Sequence, residues 1–112
     1  WVFDLYVVFP NVVFLFEDDQ FVIQRIWPIS ANQTMWELDH FYVGKPKNFG
    51  ELFNRELSLL QQMDTASEDT SVSEGIHRNY MCGALDVVYL SDLQKGSLAF
   101  QKKVRNRVKE AK

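Results

Sequence analysis

A chain of 112 residues makes one modest domain at most, and 46% hydrophobic residues with only 5 Gly and 3 Pro describe a packed globular unit, not a disordered or fibrous one. Twelve Lys and Arg against 15 Asp and Glu leave a net charge of −3, which excludes the global basic footprint of a nucleic-acid or anionic-lipid binder. The lone cysteine, Cys82, excludes an internal disulfide, no apolar run reaches the roughly 20 residues of a membrane span, and no signal-peptide pattern occurs, so a cytoplasmic location is expected.

The first forty-odd residues are rich in Val, Ile, Phe, Tyr and Trp and break at turn residues, which is strand chemistry. Residues 2–8 form the first expected strand, closed by Phe9-Pro10-Asn11, where proline cannot donate to a ladder and asparagine tolerates a tight turn. Residues 12–16 and 21–27 flank Glu17-Asp18-Asp19-Gln20, four polar residues suited to a hairpin loop. A loop over Pro28–Gln33 then leads to a strand at 34–43, where Trp36, Leu38, His40 and Tyr42 share one parity and hence one face.

After Gly44-Lys45-Pro46 the apolar period lengthens from two to about 3.6. Phe49, Leu52, Phe53, Leu57, Leu60 and Met63 predict an amphipathic helix over 48–63. Thr65 and Glu68 have capping-box spacing, so the polar stretch Asp64–Ser73 reads as a break or as the start of a second helix over 67–80. Val87-Val88-Tyr89-Leu90 reads as a short strand or extended segment. Ser91-Asp92-Leu93-Gln94 offers a further capping box, and Leu93, Phe100, Val104 and Val108 carry a last helix to about residue 110. Its Lys102, Lys103, Arg105, Arg107, Lys109 and the terminal Lys112 read foremost as a solvated face, with a basic contact surface as the alternative. Strands first and helices after is the α+β pattern, an antiparallel sheet packed by helices, with residues 1–112 as a single domain.

Chemistry has few places to reside. Two histidines and one cysteine cannot build a two-Cys, two-His iron–sulfur cluster, a zinc ribbon or a thioredoxin-like pair. Glycine-rich phosphate loops and the Gly-x-Ser-x-Gly elbow are absent. His40 shares its strand face with aromatic and apolar residues, so it is a hydrogen-bonded core histidine or a residue lining a pocket. Glu68-Asp69 with Glu74 and His77 is the densest ionisable cluster, yet acids there also suit the positive end of a helix without any chemistry. Asp69 and His77 share a helix face but stand eight residues apart, about 12 Å, too far to chelate one metal as a pair.

Three motifs in order raise that cluster. Phe9-Pro10-Asn11 ends a strand, Trp27-Pro28-Ile29-Ser30-Ala31-Asn32-Gln33-Thr34 follows the next hairpin, and Glu68-Asp69-Thr70-Ser71-Val72-Ser73-Glu74 places its aspartate sixty positions after Phe9. The ordered set resembles the C-terminal catalytic domain of the large (alpha) subunit of Rieske-type non-haem iron ring-hydroxylating oxygenases, over nearly the whole chain. The resemblance implies a part of a helix-grip (SRPBCC, Bet v1-like) fold. Asp69 maps onto the carboxylate of an iron-binding 2-His-1-carboxylate triad, and Phe3, Leu5 and Leu15 map onto pocket-lining strand positions, to which His40 is added as a candidate. The chain has His77 where the family often has Gln, and Gln94 where it often has Glu.

Such a triad leaves positions on Fe(II) open for dioxygen while an aromatic or comparably apolar substrate lies beside it. The resemblance further implies electrons from a [2Fe-2S] cluster, supplied in turn by a reductase or ferredoxin. The two histidine ligands and the Rieske domain are expected outside these residues, so the chain, which starts without Met inside an apolar run, reads as a carboxy-terminal portion. Alone it should be inactive, with no bound cofactor. The competing classes are a non-catalytic helix-grip domain holding a small apolar ligand, and an assembly or interaction protein. Open sheet edges and apolar surface make a homo-oligomer the expected state, with no nucleic-acid or membrane partner.

Overall fold

The computed structural model describes residues 4–111. Its elements run β1 (Asp4–Val8), β2 (Val12–Phe16), β3 (Gln20–Ser30), β4 (Gln33–Tyr42), α1 (Phe49–Met81) and α2 (Lys95–Glu110). The strands form an antiparallel sheet in the order β1-β2-β3-β4, so the molecule has the α+β composition that the strand-then-helix pattern implies. The chain divides into two units, residues 1–67 and 68–112.

In the first unit the β1–β2 turn is Phe9-Pro10-Asn11, with the Phe9–Pro10 peptide bond cis. Glu17–Asp19 connect β2 to β3, and the Glu17 N–H donates to the Gln20 carbonyl across that turn. The expected loop over Pro28–Gln33 is a correction: β3 continues through Pro28 to Ser30, and only Ala31 and Asn32 separate it from β4. A register irregularity between Pro28 and Ser30 lets the ladder run past a residue that has no N–H to donate.

The register sorts the sheet into two faces. Leu5 pairs with Leu15, Leu15 with Val22 and Val22 with His40, which sets one transverse row across all four strands. Leu15 and Val22, at its centre, are the buried apolar residues of the described chain. Across the sheet, Tyr6, Phe16, Phe21 and Phe41 make an aromatic ladder whose consecutive ring centroids lie 5.9, 5.9 and 4.8 Å apart. On that same face Arg25 reaches both Glu37 and Asp39, and the Trp27 indole N–H donates to Glu37 at 2.7 Å.

Helix α1 opens on a cap that was not anticipated. Asn48 Oδ1 accepts the Glu51 N–H at 2.9 Å, and Glu51 Oε2 accepts the Lys47 N–H at 2.7 Å. The break expected between residues 63 and 67 is absent, a second correction. Thr65 does not cap a new helix; its hydroxyl donates to the Gln61 carbonyl one turn back, at 2.9 Å, and no proline interrupts the polar stretch. Within the first unit α1 meets the sheet through polar contacts of Arg55 and Ser58, while Leu52, Phe53, Leu57 and Leu60 stay exposed.

In the second unit Val87–Leu90 joins no sheet, and α2 begins at Lys95, not at Ser91. Ser91 N–H does donate to Gln94 Oε1 at 2.9 Å, half of a capping box, but the Gln94 N–H closes a turn onto the Ser91 carbonyl ahead of the helix. Leu93 lies exposed in that turn and is no part of the helical stripe.

Candidate functional site

The expected pocket residues fall on one side of the sheet. Leu5, Leu15 and His40 occupy the transverse row, with Val22 between the last two; Phe3 lies outside the described residues. Leu5, on the β1 edge, is exposed. Trp36, Leu38 and Tyr42 stand on the same face of β4 as His40, as their parity implies.

The His40 end of this row carries a polar network that motif reading did not find. Gln20, 8% exposed, accepts at Oε1 from the Ser58 hydroxyl at 3.1 Å and donates its amide N–H to Glu17. His40 Nε2 lies 3.0 Å from that same Oε1. An oxygen can only accept, so the contact selects the tautomer with the proton on Nε2 and leaves Nδ1 as a bare acceptor. Buried His40 Nδ1 and Trp36 Nε1 have no hydrogen-bond partner among the described residues. Burial pushes the His40 pKa below its ordinary value, against a smaller opposing pull from the Glu17 carboxylate.

Tyr42 stacks on His40 with ring centroids 4.6 Å apart, and its hydroxyl donates to the Arg55 carbonyl at 2.5 Å. The Arg55 guanidinium sits 4.9 Å above the Tyr42 ring and donates to the carbonyls of Gly44 and Val43 at 2.9 and 3.1 Å. Gly44, at φ +72°, shapes the turn that presents those carbonyls. Burial raises the Tyr42 pKa, opposed by the nearby Ser58 hydroxyl. Beside the network opens a polar cleft of about 370 Å³, with Gln20, Tyr42, Arg55 and Ser58 in its wall. The sequence signal for this cluster was slight: one Gln beside a strand, and Arg55 and Ser58 on the polar side of the helix with Glu51 and Gln62, opposite its apolar stripe.

Asp69 lies exposed on α1, in the second unit. Its side chain makes no hydrogen bond or ion pair among the described residues, while Glu74, five residues on, pairs with Arg78 at 3.8 Å. No three His, Cys, Asp or Glu side chains come together among the described residues as a metal site would require. Asp69 offers one hard oxygen donor, and the described residues do not complete a facial triad around it. No helix among them is long and apolar enough to cross a membrane.

The chain thus combines an antiparallel sheet bearing one apolar row with helices of which the first carries Asp69 and Glu74 at Asp-x4-Glu spacing. The family model of the ring hydroxylating alpha subunit catalytic domain matches residues 2–110, and the chain belongs to that family. No curated protein and no solved structure matches it.

Proposed function

We propose that this chain is the carboxy-terminal part of the catalytic domain of a ring-hydroxylating oxygenase that hydroxylates an aromatic or similarly apolar substrate with mononuclear Fe(II) and dioxygen. The observation that carries the reading is the family match over residues 2–110 together with the place of Asp69 in Glu68-Asp69-x4-Glu74. In this reading Asp69 supplies the carboxylate ligand, and two histidines come from residues outside these 112. His77 cannot join Asp69 on one iron, since it stands eight residues away on the same helix, about 12 Å.

The substrate side of the sheet is the face bearing Leu5, Leu15, Val22 and His40. Its apolar row gives a ring system a surface to pack on, and His40 adds one hydrogen-bonding group beside it. Electrons are delivered through a [2Fe-2S] cluster held elsewhere, charged by a reductase or ferredoxin.

The test compares the complete subunit containing this segment with its Asp69→Ala variant. Iron content and the spectrum of the ferrous nitrosyl complex should both be lost, while the [2Fe-2S] absorption and the fold remain. A variant that keeps stoichiometric mononuclear iron returns Asp69 to an ordinary helix-surface acid.

A further inference from the structure

Charge in this chain is strongly segregated. Residues 1–94 carry five Lys and Arg against 14 Asp and Glu, a net −9, whereas α2 alone carries six Lys and Arg against the single Glu110. At 3.6 residues per turn, Lys95, Lys102, Arg105 and Lys109 fall within an arc of about 80° and extend along about 21 Å of helix. All four are exposed and, unlike Arg107, which pairs with Glu110 at 3.1 Å, none has a side-chain hydrogen bond or ion pair among the described residues. Leu98, 57% exposed, sits in the middle of the same arc. The apolar positions Phe100, Val104 and Val108 repeat at intervals of four on the opposite side.

We propose that this face of α2 is a docking surface for an acidic polypeptide segment, with carboxylates that meet the four cations and one apolar side chain that covers Leu98. The inference goes beyond the oxygenase reading and does not depend on it. Charge complementarity selects an anionic occupant, and two features select a polypeptide among anions. A nucleic acid or an anionic membrane extends well past a basic helix face of about 21 Å, whereas a short acidic segment matches its length. A helix lying in a membrane also needs a broad face of large apolar residues. Here the basic side bears Leu98 alone, and Phe100 on the other side is half-buried. The four cations form no network with acids of their own helix face, so an arriving partner displaces no ion pair.

The experiment titrates the 112-residue chain with a fluorescein-labelled Glu-rich peptide of about 15 residues carrying one central Leu, and with its Gln counterpart. Anisotropy should show saturable binding of the Glu peptide that weakens as salt rises, with amide shifts confined to residues 95–109. Lys102→Glu/Arg105→Glu should weaken it about tenfold or more, and Lys102→Gln/Arg105→Gln by less. Both changes are at exposed positions, and helical circular dichroism verifies the fold. Equal binding of the Gln peptide, unchanged binding by the charge reversal, or tighter binding of phosphatidylserine vesicles or a short RNA duplex would each overturn the proposal.

Discussion

His40 Nε2 and Gln20 Oε1 lie 3.0 Å apart, joining the far ends of the β3–β4 hairpin through a side-chain pair whose acceptor also takes the Ser58 hydroxyl from α1. One amide thus holds a strand, its neighbour and the helix above them. The imidazole is partly buried at this junction, and burial favours its neutral form, which makes the first unit sensitive to pH.

The sign follows from the direction of the His40 shift. Burial lowers its pKa from the ordinary 6.5, so on acidification the unfolded chain takes up the proton before the folded one does. Stability supplied by neutral His40 is therefore complete above about pH 6.5 and is lost progressively as pH falls toward the lowered folded value. The urea midpoint should drop between pH 7 and pH 5.5, and His40→Gln should flatten that slope. An equally steep slope in the variant would assign the effect to other groups.

Gln20 should matter more than its surroundings suggest. Replacing it with Ala removes the partner of Glu17, Ser58 and His40 at once, and leaving such groups unpaired costs about 1–3 kcal/mol. A double-mutant cycle with His40→Ala should return a positive coupling. Strictly additive losses would mean that the contact contributes no energy of its own.

The strand half of the molecule was legible because its residues alternate and its breaks fall at Phe9-Pro10-Asn11 and Glu17-Asp18-Asp19. Pro28 misled because proline ordinarily ends a strand, whereas a register irregularity absorbs it here. The helical half was less legible. Thr65 and Glu68 have the spacing of a cap, but only the competing Gln61 carbonyl shows that the helix continues. Gln20 read as a loop residue because its burial comes from pairing with Tyr42 and from Ser58, contacts 22 and 38 residues away in sequence. Asp69 could be picked out as a motif residue. Its role depends on partners that local sequence does not supply.

Energy along the apolar row should follow burial and not residue type. Leu15→Ala should cost about 2–5 kcal/mol and Val22→Ala about 2 kcal/mol, because both empty the buried centre. Leu5→Ala, on the same row at an exposed edge, should cost under about 1 kcal/mol. Chemical denaturation of the three variants measures the gradient, and a Leu5 cost equal to that of Leu15 would show that something covers the edge in solution.

Self-association is the last expectation. Strand β1 is an outer strand of the sheet, all five of its residues are exposed, and Leu5, Tyr6, Val7 and Val8 are each about half accessible. An outer strand of this kind presents unpaired N–H and C=O groups along with apolar side chains, and both are relieved by pairing with another chain. The aromatic ladder adds Phe16 and Phe41 to the exposed surface on one side. The 112-residue chain should therefore sediment above its monomer mass of 13.1 kDa at about 10 μM, ten times a micromolar dissociation constant. Val7→Lys places a charge on the edge strand, where lysine opposes strand addition, and should shift the population toward monomer without loss of the sheet signal in circular dichroism. A monomer of 13.1 kDa in the unsubstituted chain would mean that the exposed strand does not pair. Association that survives Val7→Lys unchanged would place the contact on another surface, with the aromatic ladder as the next to substitute.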